Sequence, residues 1–244
     1  MNLDMIGAIG ATAIFVGILG FVVGFSRLRI TSRLLVFATA AVWMAMIVTV
    51  TMLGAFAPGV LGRFPSALLP FFFLTAALCG SFVFLARVRS ELLAIPLPVL
   101  VVVNAGRIGG VFFLLLYGAG RITAPFAPSA GIGDILTGIF ALLLTWRLIG
   151  NPGVKSRWIR YWNMFGLMDL ASAITLGTLS APGSLFPRAP GTSVMSFLPW
   201  SFVPSILVPV YILLHLVIAK KIKTMATVET VGRSSIEAQP LENF

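Results

Sequence analysis

The chain alternates long apolar runs with short polar breaks, and within each run the apolar residues are continuous rather than alternating. Apolar runs of about 20 residues predict membrane-crossing helices. We read seven of them, at about 4–25, 34–57, 66–86, 92–117, 132–149, 158–179 and 198–222. Prolines sit where such helices tolerate them: Pro65 and Pro70 near the start of the third run, Pro96 and Pro98 in the first turns of the fourth. Asn151, Pro152 and Gly153 end the fifth. Pro204 and Pro209 are expected to bend the seventh and free backbone carbonyls, which neighbours or water must satisfy. From Thr224 onward the sequence is polar without an apolar period, which predicts a disordered tail. The expected organisation is therefore a seven-helix membrane domain at 1–223 and a tail at 224–244.

A β-barrel would need alternating strands of about ten residues, and the runs here are continuous and about twice that length. The fold class is all-α, a polytopic membrane protein. No internal repeat is evident, and an odd number of runs argues against two equal inverted halves. The first run lacks a basic leader, and no small-residue cleavage site precedes Arg27, so a cleaved signal peptide is not expected.

Composition agrees. Of 244 residues, 59% are hydrophobic and only 10% are charged, against roughly 25% charged in soluble domains; the mean hydropathy is +1.05. The net charge of +10 would point to nucleic acid in a soluble protein. Here the basic residues lie in short breaks between runs, where they read as an orientation signal, and no nucleic-acid partner is expected. One side collects Arg27, Arg29, Arg33, Arg87, Arg89, Arg147, Lys155, Arg157, Arg160, Lys220, Lys221, Lys223 and Arg233; the other has Arg63, Arg121 and Arg188. That split of thirteen to three, with Arg107 inside a run, sets the N-terminus outside and the C-terminus in the cytoplasm. Trp146, Trp158, Trp162 and Trp200 fall near the expected interfaces, as an aromatic belt would. The Gly/Pro/Ser/Ala-rich segments 118–133 and 180–197 lie on the outer side, either folded over the bundle mouth or as plain connectors.

Against this apolar background a few polar residues stand out. Arg107 lies about fifteen residues into the fourth run, or about 22 Å along it, with Asn104 on the same face. A charge at that depth is costly and should face the bundle interior with a partner. Asp134 opens the fifth run, where the helix dipole alone would favour it. Asp169 lies near the middle of the sixth, and Asn163, Gly166 and Asp169 share one stripe that should face inward. Arg107 and Asp169 are the expected pair, with Asn104 and Asn163 nearby, lining a cavity open to the outside; Asp134 is the alternative partner. His215, late in the seventh run with Tyr211 one turn before it, reads as a packing residue or a proton relay, and its depth places it far from Asp134. Gly106, Gly109 and Gly110 allow close helix approach.

With one cysteine, Cys79, and one histidine, no intrachain disulfide and no Cys/His zinc motif is possible. No metal site is expected, and no cofactor is specified. Dinucleotide, phosphate-loop, metalloprotease and nucleophile-elbow motifs are absent, as is an intramembrane lysine for a retinal Schiff base. The pieces FAPSAGIGDILTG (126–138), NMFGLMDL (163–170), LSAPG (179–183) and the proline-rich last run ending in LLH (213–215) resemble a group of uncharacterised bacterial integral membrane proteins. That resemblance covers the larger, C-terminal part of the chain. It implies a multi-pass protein of the bacterial inner membrane, and it supplies no reaction.

Three functions fit the residues. A carrier or permease for a small solute or ion would use the polar set in runs four to seven as a binding or proton-handling centre, and this reading leads. An intramembrane enzyme would use Asp134, Asp169 and His215 on a lipid-like substrate. A membrane sensor or assembly factor would use the same residues only to hold the bundle. The bilayer and a small molecule in an outward-facing cavity are the expected partners; oligomeric state is not specified.

Overall fold

Asn2 caps the first helix, its side chain accepting from the backbone N–H of Asp4 at 3.1 Å, and an uninterrupted apolar sequence then carries α1 from Leu3 to Gly24. The structure is a computed structural model that describes residues 2–60, 66, 68–150, 156–184, 186 and 189–237, with backbone alone for 156 and 226–237. Among them every regular element is helical: α2 (Ile30–Met52), α3 (Leu68–Phe84), α4 (Ala86–Ala94), α5 (Leu97–Val102), α6 (Val111–Gly118), α7 (Phe126–Gly150), α8 (Ser156–Leu179) and α9 (Val208–Glu237), with a 3-10 segment at Val103–Gly110 and a π segment at Val203–Leu207.

Among the described residues, five stretches are long and apolar enough to cross a membrane: Leu3–Gly24, Ile30–Met52, Leu97–Gly118, Phe126–Gly150 and Val203–Met225. A sixth is formed if α3 and α4, which meet at 92°, make one span. Helix α8 is 24 residues long but carries Arg157, Arg160, Asn163 and Asp169, and it is not among them. Large apolar side chains also point outward, including Phe84, Leu53 and Trp146, all more than 70% exposed. Such a surface suits lipid and would be a liability in water.

Several boundaries differ from those read in the sequence. Leu85 and Ile95 are both extended, so α4 is a separate helix between them. Ile95 precedes Pro96, whose ring disfavours helical geometry in the residue before it. Lys221 Nζ donates to the carbonyls of Leu93 (2.5 Å) and Ile95 (2.8 Å), holding this corner to α9. Helix α7 begins at Phe126 rather than near 132, with Pro128 in its first turn, where a missing N–H costs nothing. The last span begins at Val203, and its first turn is π-helical around Pro204. The indole of Trp43 donates to the Ser205 carbonyl at 3.2 Å, a neighbour satisfying backbone in the proline-disturbed stretch. Helix α9 then continues to Glu237, so the polar segment from 224 is helical backbone as far as it is described, where an irregular tail was expected. Extending an existing helix costs far less than nucleating one.

The described residues of the segments 119–125 and 180–202 fold over the end of the bundle that carries the N-terminus. Thr192 N–H donates to Ser180 O at 3.1 Å, and Thr123 N–H to Gly191 O at 3.2 Å. Arg121 Nη1 and Trp200 Nε1 both donate to Asp4 Oδ1 at 2.7 Å. Trp200 is therefore buried rather than part of an interfacial belt, as is Trp162, whose Nε1 donates to Thr137 O at 3.0 Å. Trp146 and Trp158 are the exposed pair. Arg63, Lys155 and Arg188, counted in the charge split, lie outside the described residues.

Candidate functional site

The centre of the bundle is organised by the 3-10 segment. Its period of three eclipses positions i and i+3, so Asn104, Arg107 and Gly110 form one row, and all three are buried. That row packs against α7 at very short range. A Cβ on Gly110 would stand 2.5 Å from Asp134 Cβ and 2.8 Å from Gly131 O, and one on Gly138 would stand 2.7 Å from the backbone nitrogen of Ile108. Only glycines permit this approach, which is what brings Asp134 within reach of Arg107.

Every nitrogen of the Arg107 guanidinium is engaged. Nε donates to Asp134 Oδ1 at 2.7 Å, Nη2 donates to Asp169 Oδ2, and Nη1 lies 3.1 Å from both Gly166 O and His215 Nε2. The Tyr211 ring stacks beneath it, 5.8 Å from Cζ to the ring centroid. An arginine is a donor only, so His215 Nε2 must accept. Nδ1 then carries the ring proton and donates to Asn163 Oδ1 at 2.8 Å, while Asn163 Nδ2 donates to His215 O at 3.2 Å. Both ring nitrogens are used, and the imidazole is held neutral in one tautomer.

Two further glycines make room. A Cβ on Gly133 would overlap the Asp169 carboxylate, and one on Gly166 would stand 2.5 Å from His215 Cε1 and 3.1 Å from Arg107 Nη1. Thr137 Oγ1 returns its proton to Gly133 O at 2.9 Å, and Ser172 Oγ donates to Asp169 O.

The structure thus brings together Arg107, Asp134, Asp169, His215 and Asn163. Arg107 engages Asp134 and Asp169 together, where the sequence offered them as alternatives. Asp134 is inside α7 rather than in its first turn, and His215 belongs to the same cluster rather than lying remote from it. The reason is depth. With spans beginning at Leu97, Phe126 and Val203, Arg107 and His215 fall near the midpoints of their helices and Asp134 well inside its own. Asn104 stays apart: its Nδ2 bonds Leu100 O at 3.0 Å, and its Oδ1 has no partner among the described residues. Tyr211 and the three glycines at 110, 133 and 166 are the participants to which the sequence gave no site role. For Gly166 the available signal was its place on one stripe with Asn163 and Asp169.

Charge and access are uneven in this cluster. Two carboxylates share one guanidinium. The Arg107 and Asp169 side chains are 1% and 7% exposed, whereas that of Asp134 is 19% exposed. Asp134 faces a cavity of about 110 Å³ at the end of the bundle carrying the N-terminus, walled by Phe71, Phe113, Phe126, Leu170 and Val203. A second cavity of about 60 Å³ shares Asp134, Phe113 and Leu170 with the first and is also lined by Arg107, Tyr211 and Trp200. The first cavity is apolar with one acid in its wall, the form of a small-molecule site.

A family profile described as a domain of unknown function (DUF8737) matches residues 63–222, which contain the whole cluster. No curated protein and no solved structure matches the chain.

Proposed function

The chain belongs to the DUF8737 family, and from the geometry of its buried cluster we propose that it is a carrier of a small solute or ion. The observation that supports this is Asp134, which bonds the buried guanidinium on one side and borders an apolar cavity on the other. A charge network purely for holding helices together needs no member facing a cavity; a binding site that communicates with the bundle centre does. In this reading α3 with α4 is one span and α8, packed along α7 and α9, is another, giving seven. The thirteen-to-three split of basic residues supports an N-terminus outside, and in that orientation the cavity faces outward and the α9 extension is cytoplasmic. In this reading the membrane is a bacterial inner membrane, which the resemblance to bacterial proteins supports.

An intramembrane enzyme acting on a lipid-like substrate is the second reading, favoured by the apolar cavity wall. Against it, both nitrogens of His215 are occupied, which leaves no free base beside the carboxylates. Uptake into proteoliposomes of labelled small solutes tests the carrier. Saturable uptake that Asp134→Asn abolishes is expected. Absence of uptake across anionic, neutral and cationic solutes, with the protein folded, overturns it and leaves the enzyme or a sensor or assembly role.

A further inference from the structure

We propose that the cavity beside Asp134 takes a small organic cation, an ammonium group carried on an apolar body. This names the substrate class of the carrier above and rests on that reading.

The charge count points to a cation. Among the described residues two carboxyl groups, Asp134 and Asp169, share one guanidinium, and His215 is held neutral by its bonds to Arg107 and Asn163. An unpaired carboxylate in an apolar interior is strongly unfavourable, so the second carboxyl must hold a proton or meet a second positive charge, which an ammonium ligand supplies. The carboxyl beside the cavity is Asp134, and among the described residues only its Oδ1 receives a hydrogen bond, from Arg107. An anion has no comparable place, since each nitrogen of Arg107 already has a partner.

The walls point to an organic cation rather than a metal ion. One water needs only about 10–15 Å³, so a cavity of about 110 Å³ admits a molecule of several heavy atoms. Among the described residues Asp134 is its one charged wall residue, and Phe71, Phe113 and Phe126 offer apolar surface. Ring faces attract an ammonium group. No group of three or more His, Cys, Asp or Glu side chains suited to a metal occurs among the described residues. A second polar group awaits a partner: Tyr211, 4% exposed, lines the adjoining cavity, and its hydroxyl has no hydrogen bond among the described residues. An ammonium placed between the two cavities would donate to Asp134 Oδ2 and to the Tyr211 hydroxyl, with its apolar body in the larger chamber.

The test uses the full chain in lipid nanodiscs and three probes of matched size: 2-phenylethylamine, 2-phenylethanol and 3-phenylpropionate. Calorimetry should show the amine binding about tenfold or more tightly than the alcohol, with no binding of the carboxylate. Asp134→Asn, whose amide oxygen still accepts from Arg107, should abolish that preference while its melting temperature shows it folded. Tyr211→Phe should weaken the amine severalfold. Equal binding of amine and alcohol, tighter binding of the carboxylate, amine binding unchanged in Asp134→Asn, or binding of none of the three overturns the inference. Parallel uptake of the same probes separates the two readings. Uptake of the anion or alcohol alone removes the organic cation and leaves the carrier; amine binding without uptake leaves the cation site and removes the carrier.

Discussion

An isolated buried ion pair suffers about equally from the loss of either partner, because each loss strands one charge. The cluster here has two acids on one base, so the losses should be unequal. Arg107→Met removes the one positive charge of the cluster among the described residues and leaves Asp134 and Asp169 facing each other's field, with Gly166 O also losing its donor. Stranding buried charge in this way costs about 3–5 kcal/mol. At about 2–4 °C per kcal/mol for a chain of this size, the melting temperature should fall by about 6–20 °C. Asp169→Asn leaves a balanced pair, Arg107 with Asp134, and the amide oxygen still accepts from Nη2. The remaining loss is that of a charge-assisted hydrogen bond reduced to a neutral one, about 1 kcal/mol. The double change Asp134→Asn with Asp169→Asn strands the arginine and should return to the large loss. Thermal unfolding of the detergent-purified protein, followed by tryptophan fluorescence, reads all three. Asp169→Asn as damaging as Arg107→Met would refute the charge count and with it the uncompensated carboxylate.

Three further outcomes are expected. Gly133→Ala and Gly166→Ala should each cost about 1–3 kcal/mol by overpacking against Asp169 and His215, whereas Gly17→Ala, with nothing within 4 Å of its added Cβ, should be neutral or stabilising in the same unfolding assay. Reporter fusions should place position 155 in the cytoplasm and position 190 outside; the opposite labelling would overturn the orientation. Truncation after Lys223 should leave the detergent-purified protein monodisperse, since the polar sequence beyond it has no apolar face to bury; loss of expression would show that the α9 extension packs on the bundle.

The membrane class was legible because continuous apolar runs and scarce charge leave little alternative, and the residues of the central cluster stood out as polar exceptions in that background. What the sequence concealed was depth. Residues 127–131 are small, with a proline, and read as loop, yet they lie in the first turns of α7, because close packing on the 3-10 segment favours small side chains. The residues Leu198–Phe202 are apolar and read as helix, yet the span starts at Val203. The boundaries read from the sequence left Asp134 at a helix end and His215 late in its run, and so separated two residues that both touch Arg107. The 3-10 turns at 103–110 were likewise invisible: Gly106, Gly109 and Gly110 signalled close approach, but not the change of period that aligns Asn104, Arg107 and Gly110. Asp4, Arg121 and Trp200 are dispersed along the chain, and nothing local in the sequence indicates that they meet.

A buried ion cluster is a poor way to stabilise a bundle, since well-packed apolar replacements are often as good or better. Yet the chain bends its local structure around this one. A 3-10 stretch sits in the middle of a span, and glycines at 110, 133 and 166 clear space that any side chain would block. Gly133 and Gly166 serve Asp169 and His215, the members turned away from the larger cavity; Gly110 serves Asp134, which borders it. This divides the cluster into a frame and a face. Asp169, Gly166 O and His215, itself fixed by Asn163, orient the guanidinium. The guanidinium in turn fixes Asp134 through Oδ1, and Asp134 borders the cavity. Damage to the frame should therefore appear first in stability. Neutralising the face should appear in binding while the fold stands, and that separation is what a purely structural cluster would not produce.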